Sequence, residues 1–451
     1  MTTPIPYRQH SRALLTLGLP LVGSHLAQVA IGVTDNLMLG WYSVEALAAA
    51  TLGFSAFFVL FIVGSGFAFA VLPMVASAMA ENDETQIRRV TRMGMWMSAL
   101  YGLAVMPLLI WSEPILLALG QKPVIAALCS QYLAILSLGM LPALLVMVLK
   151  NYLAALERTQ IVLWVTVAAA VLNGLLNYVL IFGNFGAPEL GITGAAIASV
   201  VMQMVTLLAL VIYTMRVTPE HAMFQRLWRP DWEAFGRVFK LGWPIGLTNL
   251  AESGMFSASA VMMGWLGTVP LAAHGIALQL ASMSFVVHLG VSQAGTVRVG
   301  HAAGRRDGRS LRDGALVAFA MSVAFALLTA VLYLAIPEPL LGLFLDPSDP
   351  DRPAIIAFGV ILLGVAALFQ LVDGAQVIAL ALLRGLQDTR VPMIFAAISY
   401  WVVGIPSSYV MGIVLGWGGA GIWMGLTVGL SFASVLLIYR FWTKGVARVP
   451  V

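Results

Sequence analysis

Long apolar runs dominate this chain. They extend for about 20 residues or more between short polar joints, the length a helix needs to cross a hydrocarbon layer about 30 Å thick. Twelve such spans fall near residues 14–40, 46–78, 92–111, 124–149, 160–182, 191–215, 240–264, 271–297, 313–336, 354–382, 391–414 and 419–439. Membrane-crossing strands would instead alternate apolar and polar residues over segments of about ten. Composition agrees: 60% of the 451 residues are hydrophobic and 10% charged, a surface that would aggregate in water. The fold class is all-α integral membrane. The polar lead Met1–Arg12 enters the first run past any small-residue cleavage site, so no cleaved signal peptide is read. Cys129 is the single cysteine, which excludes an internal disulfide.

The basic residues give the orientation. Of the 24 Lys and Arg, all but Lys122 and Arg352 fall in the N-terminal lead, the even-numbered joints and the C-terminal tail. Cytoplasmic joints retain basic residues, so both termini are placed in the cytoplasm of a bacterial inner membrane. The formal charge of +4 follows from this topology and does not call for nucleic acid as a partner.

Sliding the chain by 224 residues superimposes Gly18 and Pro20 on Gly242 and Pro244, and Trp41 on Trp265. Asp83 and Arg88 fall on Asp307 and Arg312 at the same offset. The spans therefore form two pseudo-symmetric six-helix bundles, an N-lobe over 1–215 and a C-lobe over 240–451, joined by a basic cytoplasmic linker at 216–239. Both halves start on the same side, the arrangement of transporters that bind substrate near the midplane between parallel repeats.

Three of the twenty acids do not lie at joints: Asp35 in span one, Glu252 in span seven and Asp373 in span ten. A carboxyl at bilayer depth is costly, so it either serves transport or bonds a neighbouring helix. The repeat places Ser259 opposite Asp35 and Gln28 opposite Glu252, so the two bundles hold chemically different sites. Asn173 and Asn177, four apart on one helical face, either complete an oxygen-rich cation site beside Asp35 or bond across helices. His25, His274 and His288 show no metal-ligand spacing and are read as core-packing or polar-contact residues. The segment Arg298–Gly308 is glycine-rich and basic, but GxxxxGK[ST] occurs nowhere, so an ion gradient replaces ATP as the energy source and no cofactor is expected.

Several motifs carry a family resemblance: TDNLMLG at 34–40, VLPMVASAMAEND at 71–83, FGAPELGITGAA at 185–196, VRVGHAAGRRD at 297–307 and LLRGLQDT at 382–389. Over essentially its whole length the chain resembles the multidrug and toxic compound extrusion (MATE) family, in its NorM branch. That resemblance implies a twelve-helix antiporter that expels cationic drugs and dyes in exchange for sodium or protons. It also implies cation coupling at Asp35, Asn173, Asn177, Glu252 and Asp373, and substrate contacts at Asp35, Glu252, Phe369 and Asp373. Phe369 stands where some members carry Tyr, and Gly275 where Gln often follows the His. The chain is read as a lipid-embedded monomer, with no metal site other than one for sodium. Two rivals are a lipid-linked saccharide flippase and a membrane-embedded enzyme. The first calls for extra spans or a strongly basic cavity, the second for a nucleophile–base cluster, and the sequence has neither.

Overall fold

A computed structural model describes residues 6–449; the first five residues of the polar lead, the side chain of the tail residue Arg448, and residues 450–451 lie outside it. Among the described residues twelve long helices follow one another: α1 Tyr7–Tyr42, α2 Val44–Ala80, α3 Glu84–Ile110, α4 Pro123–Ala155, α5 Thr159–Phe182, α6 Gly191–Val217, α7 Trp232–Leu266, α8 Thr268–Gly304, α9 Gly308–Ala335, α10 Arg352–Gly385, α11 Arg390–Val414 and α12 Gly418–Gly445. Eleven are long and apolar enough to cross a membrane. The exception is α7, which is 35 residues long; Thr248, Asn249, Glu252, Ser253, Ser257 and Ser259 dilute its apolar character.

The helices outrun the apolar spans read from the sequence. Helix α7 starts at Trp232, inside the segment expected to be linker, and α1 and α8 have 36 and 37 residues. At 1.5 Å per residue each of those two exceeds about 50 Å, so polar ends project beyond the hydrocarbon. Short helices at Ser112–Ala118 and Pro337–Gly342 fill the third and ninth joints. Both are too brief to show a periodic pattern.

The repeat is visible in local geometry. The side chain of Asp83 caps α3 by accepting from the Gln86 amide at 2.9 Å, and Asp307 caps α9 by accepting from Ser310 at 2.9 Å. The preceding residues, Asn82 and Arg306, both take left-handed backbone, with φ of 57° and 55°. A helix N-terminus leaves amides unpaired and an Asp side chain satisfies one, which explains why acids recur there at the 224 offset.

Two compact units make up the chain, one spanning Gly23–Gly246 and the other combining residues up to Val22 with those from Leu247 onward. They do not coincide with the sequence halves, because each half's leading helix begins in the unit built mainly from the other half. The changeover falls two residues after a proline inside the helix, at Pro20 in α1 and Pro244 in α7. Proline removes a backbone donor and crowds the preceding turn, so helices bend there.

Within the Gly23–Gly246 unit, the start of α7 crosses α2 at bare backbone. A methyl on Gly66 would lie 2.3 Å from the Gly246 nitrogen and 2.5 Å from the Gly242 oxygen. In the other unit the matching crossing joins α1 to α8, where a methyl on Gly290 would lie 2.8 Å from the Val22 nitrogen and 3.1 Å from the Gly18 oxygen. Bare glycine backbone at a crossing lets helices approach this closely in lipid.

The tips of the two leading helices are tied down at equivalent positions by different chemistry. Arg89 on α3 pairs with Asp231 and donates to Glu233 at 2.8 Å; 224 residues on, Tyr7 donates to Asp313 at 3.4 Å. The linker before α7 is fastened to the same helix. Arg92 donates to the carbonyls of Met223 and Ala222 at 2.8 and 2.9 Å and to that of Gln225, while the Trp96 indole donates to Leu227 O at 2.7 Å. Tyr152 adds contacts to Thr218 at 3.0 Å and to His221.

Arg92→Ala removes three charge-assisted bonds at a part-exposed site, a loss of about 1–2 kcal/mol after discounting for solvent. Segment 218–231 should then exchange its amide hydrogens about tenfold faster, as read by mass spectrometry against the intrinsic rates. Acid should act in the same direction. Burial lowers the His221 pKa and the Arg89 partner lowers that of Asp231. Groups depressed in the folded state contribute stability above their unfolded values and lose it as pH falls through the folded ones. Loosening therefore begins below about pH 6.5 with the imidazole and continues below about pH 4 with the carboxylate. Protection unchanged between pH 7 and pH 4 would contradict this.

Candidate functional site

In the Gly23–Gly246 unit α1 and α5 run together along a polar seam. Ser24 and Thr166 exchange a hydrogen bond at 2.9 Å, and Asn177 donates to Asp35 at 2.5 Å. On each helix the two contacts are eleven residues apart, close to three turns, so both fall on one face. Asn177 also donates to Asn173 Oδ1 at 3.2 Å. Both asparagines are fully buried, and the Asn177 Oδ1 and Asn173 Nδ2 atoms have no partner. The structure thus brings together the three residues singled out by sequence in this half. One carboxylate, two amide groups and an unsatisfied buried acceptor make an environment that a small cation or a proton can neutralise. Ser259, which the repeat sets opposite Asp35, is buried and bonds its own helix at Phe256 O, 2.7 Å away.

The other unit gathers more polar groups. Asp373 lies midway along α10 and is 2% exposed; Glu252 on α7 carries a charge that acts on it. Gln370 and Gln376 flank Asp373 at three-residue spacing. Gln370 donates to Ala281 O at 3.4 Å and Gln376 to the Tyr400 hydroxyl at 2.5 Å. Tyr400 sits in a π-helical turn, Ile398–Gly404, an interruption of regular helix that often marks functional positions. His288 on α8 bonds Ser322 at 2.8 Å and packs against the backbone beside Asp373, where a methyl on Gly374 would lie 2.7 Å from its ring. Four buried oxygens have no partner: Glu252 Oε1, Gln370 Oε1, Asp373 Oδ1 and Gln376 Oε1. Unsatisfied acceptors are rare in protein interiors because each carries a desolvation cost, and a concentration of them suits a cationic ligand.

Phe369, one turn before Asp373, is 1% exposed and meets Phe256 and Trp423 edge-on, with centroids 6.1 and 5.3 Å away. The Trp423 indole donates to His274 Nδ1 at 3.0 Å. Phe369 therefore belongs to an aromatic wall beside the acids. Among the described residues no cluster of three or more His, Cys, Asp or Glu could hold a metal ion.

The sequence did not single out Gln370, Gln376, Tyr400, Asn249 or Arg384. Polar residues three apart within an apolar span were the available signal for the glutamines. By sequence Arg384 falls in the tenth joint, yet α10 continues through Gly385 and the guanidinium donates to Asn249 at 2.9 Å.

The MatE family signature matches residues 20–179 and 244–410, two segments whose starts are again 224 apart. The chain is 46% identical over 434 residues to a probable multidrug resistance protein NorM of Agrobacterium fabrum, covering 96% of this chain and 93% of that protein. It is 47% identical over 435 residues to the protein of the same name from Rhizobium meliloti, with the same coverage. In fold it is similar to the eukaryotic MATE transporter AtDTX14, with a TM-score of 0.87 over 98% of each chain at 18% identity. A signature spanning both repeats, together with such identity over almost the entire length, shows that the chain belongs to the MatE family of membrane transporters.

Proposed function

We propose that this transporter exports cationic, amphipathic drugs and dyes in exchange for inward sodium or protons. Asp35 with Asn173 and Asn177 serves one unit, and Glu252 with Asp373 the other. Supporting this is the presence of two chemically distinct carboxylate sites with unpartnered acceptor oxygens inside otherwise apolar units. The relatives are named multidrug resistance proteins, which supports drugs as the cargo. Organic cation and coupling ion are drawn to the same low-dielectric carboxylates, so one displaces the other without a long-range signal. Binding from opposite sides as the units rock would turn displacement into antiport. Phe256, the part-exposed member of the Phe256–Phe369–Trp423 cluster, offers an aromatic face to the flat rings of such compounds, with the buried Phe369 and Trp423 rings packed behind it. Cytoplasmic termini in a bacterial inner membrane complete the proposal, in line with the distribution of basic residues.

Everted membrane vesicles carrying the chain test it. An imposed sodium or proton gradient should drive ethidium accumulation above that of vesicles lacking the chain, and collapsing the gradient should release the dye. No gradient-dependent accumulation with either ion would overturn the proposal.

A further inference from the structure

Helix α10 carries Asp373 and, eleven residues later, Arg384. That spacing is close to three turns, so both lie on one face. Arg384 Nη2 donates to Asn249 Oδ1 at 2.9 Å. Asn249 and Glu252 are three apart on α7, again on one face. The Arg384 guanidinium is the opposite charge acting on Glu252, and the buried Tyr400 hydroxyl stands in the field of Glu252, Asp373 and Arg384 together. Arg440 is paired with Asp388 at 2.8 Å and adds no net charge. With both acids ionised, Asp373, Glu252 and Arg384 carry one formal negative charge between them. The Asp35 site carries the same, from a single carboxylate and two neutral amides.

We infer that Arg384 is a built-in counter-charge that sets the number of positive charges the second unit's acids accept, matching that site to singly charged cations. The inference rests on the proposed export of cations and adds a substrate class to it. A low-dielectric site is most stable when its ligand brings the net charge to zero, and a buried charge left uncompensated is strongly unfavourable. A proton, a sodium ion and an organic monocation each supply the one charge required, whereas a dication overshoots. Asn249 holds the guanidinium in place through its amide oxygen, so the counter-charge belongs to the folded site rather than to a mobile ion.

The test uses the full-length protein in detergent and two dyes with one ring system, ethidium with one positive charge and propidium with two. Binding is read by fluorescence anisotropy. Wild type should prefer ethidium. Arg384→Gln leaves two uncompensated acids and should shift the affinity ratio toward propidium by about tenfold or more, while Arg384→Lys should keep the wild-type preference. Glu252→Gln, which makes the set neutral, should lose ethidium affinity, and Glu252→Gln with Arg384→Gln together should regain it. A folded Arg384→Gln variant with an unchanged ratio overturns the inference. If that variant is not recovered folded, a double variant that fails to regain ethidium binding overturns it instead. Wild type that binds neither dye overturns the export proposal as well, whereas wild type that binds ethidium with the ratio unmoved in Arg384→Gln overturns this inference alone.

Discussion

Asp373→Asn and Glu252→Gln should each reduce ion-driven ethidium export about a hundredfold while leaving the protein folded and in the membrane. A unit charge about 4 Å from a carboxylate gains about 4 kcal/mol at an effective dielectric near 20. Removing one partner of such a buried pair costs about 3–5 kcal/mol, and the lower end of that range is about two factors of ten in occupancy. Both replacements keep size and hydrogen-bonding capacity, and Glu252 Oε1 and Asp373 Oδ1 have no hydrogen-bond partner to lose, so the fold should tolerate them. Asp35→Asn should also impair export, but through the other unit, leaving an ion dependence unlike that of the Glu252 and Asp373 variants. Glu113→Gln, on an exposed position of the short helix Ser112–Ala118, should behave as wild type. The readouts are membrane abundance, ethidium accumulation in everted vesicles, and substrate release on adding sodium or acid. Well-expressed Glu252 and Asp373 variants that export at the wild-type rate with unchanged ion dependence would leave those acids a purely structural role.

How much of this site was legible depended on the range of the interaction involved. Asp35, Glu252 and Asp373 announce themselves because a carboxyl in an apolar run is costly wherever the helices go. Asn173 and Asn177 could be grouped from their four-residue spacing alone, and Asn177 does reach Asp35. Arg384 reads as a joint residue because a basic residue near a helix end ordinarily belongs to the interface; its inward aim depends on Asn249, which lies 135 residues away in sequence. Likewise the α-helical pattern gave no warning of the π-helical turn at Ile398–Gly404, since shifting a hydrogen bond by one residue leaves composition and apolar periodicity almost unchanged. The helix count and the 224-residue repeat were readable for the opposite reason: span length and matched residues are local properties. The composition of the compact units was not, because it rests on which backbone α1 and α7 approach before and after their prolines.

That approach leads to the second large effect. Gly242 and Gly246 are four apart on α7 and present bare backbone to Gly66 of α2, with the Gly246 nitrogen 2.3 Å from where a Gly66 Cβ would sit. The obstacle is main chain on both sides, so no rotamer change relieves it. Without a hydrophobic drive between helices in lipid, such contact is a main source of their association. Gly66→Val should therefore cost about 3 kcal/mol or more by overpacking, seen as a lower melting temperature in detergent and reduced abundance in the membrane. The equivalent Gly290→Val should cost less. Its backbone obstacles are farther away, the Val22 nitrogen at 2.8 Å and the Gly18 oxygen at 3.1 Å, although a Val22 methyl 2.4 Å from the new Cβ must also shift. Gly364 on α10 is exposed with nothing within 4 Å of an added methyl. Gly364→Ala should thus be neutral or stabilise by up to about 1 kcal/mol through helix propensity. If Gly66→Val melts with wild type while Gly364→Ala behaves as expected, the α2–α7 crossing must open enough to admit a branched side chain, and close backbone approach is not what holds α7 to that unit.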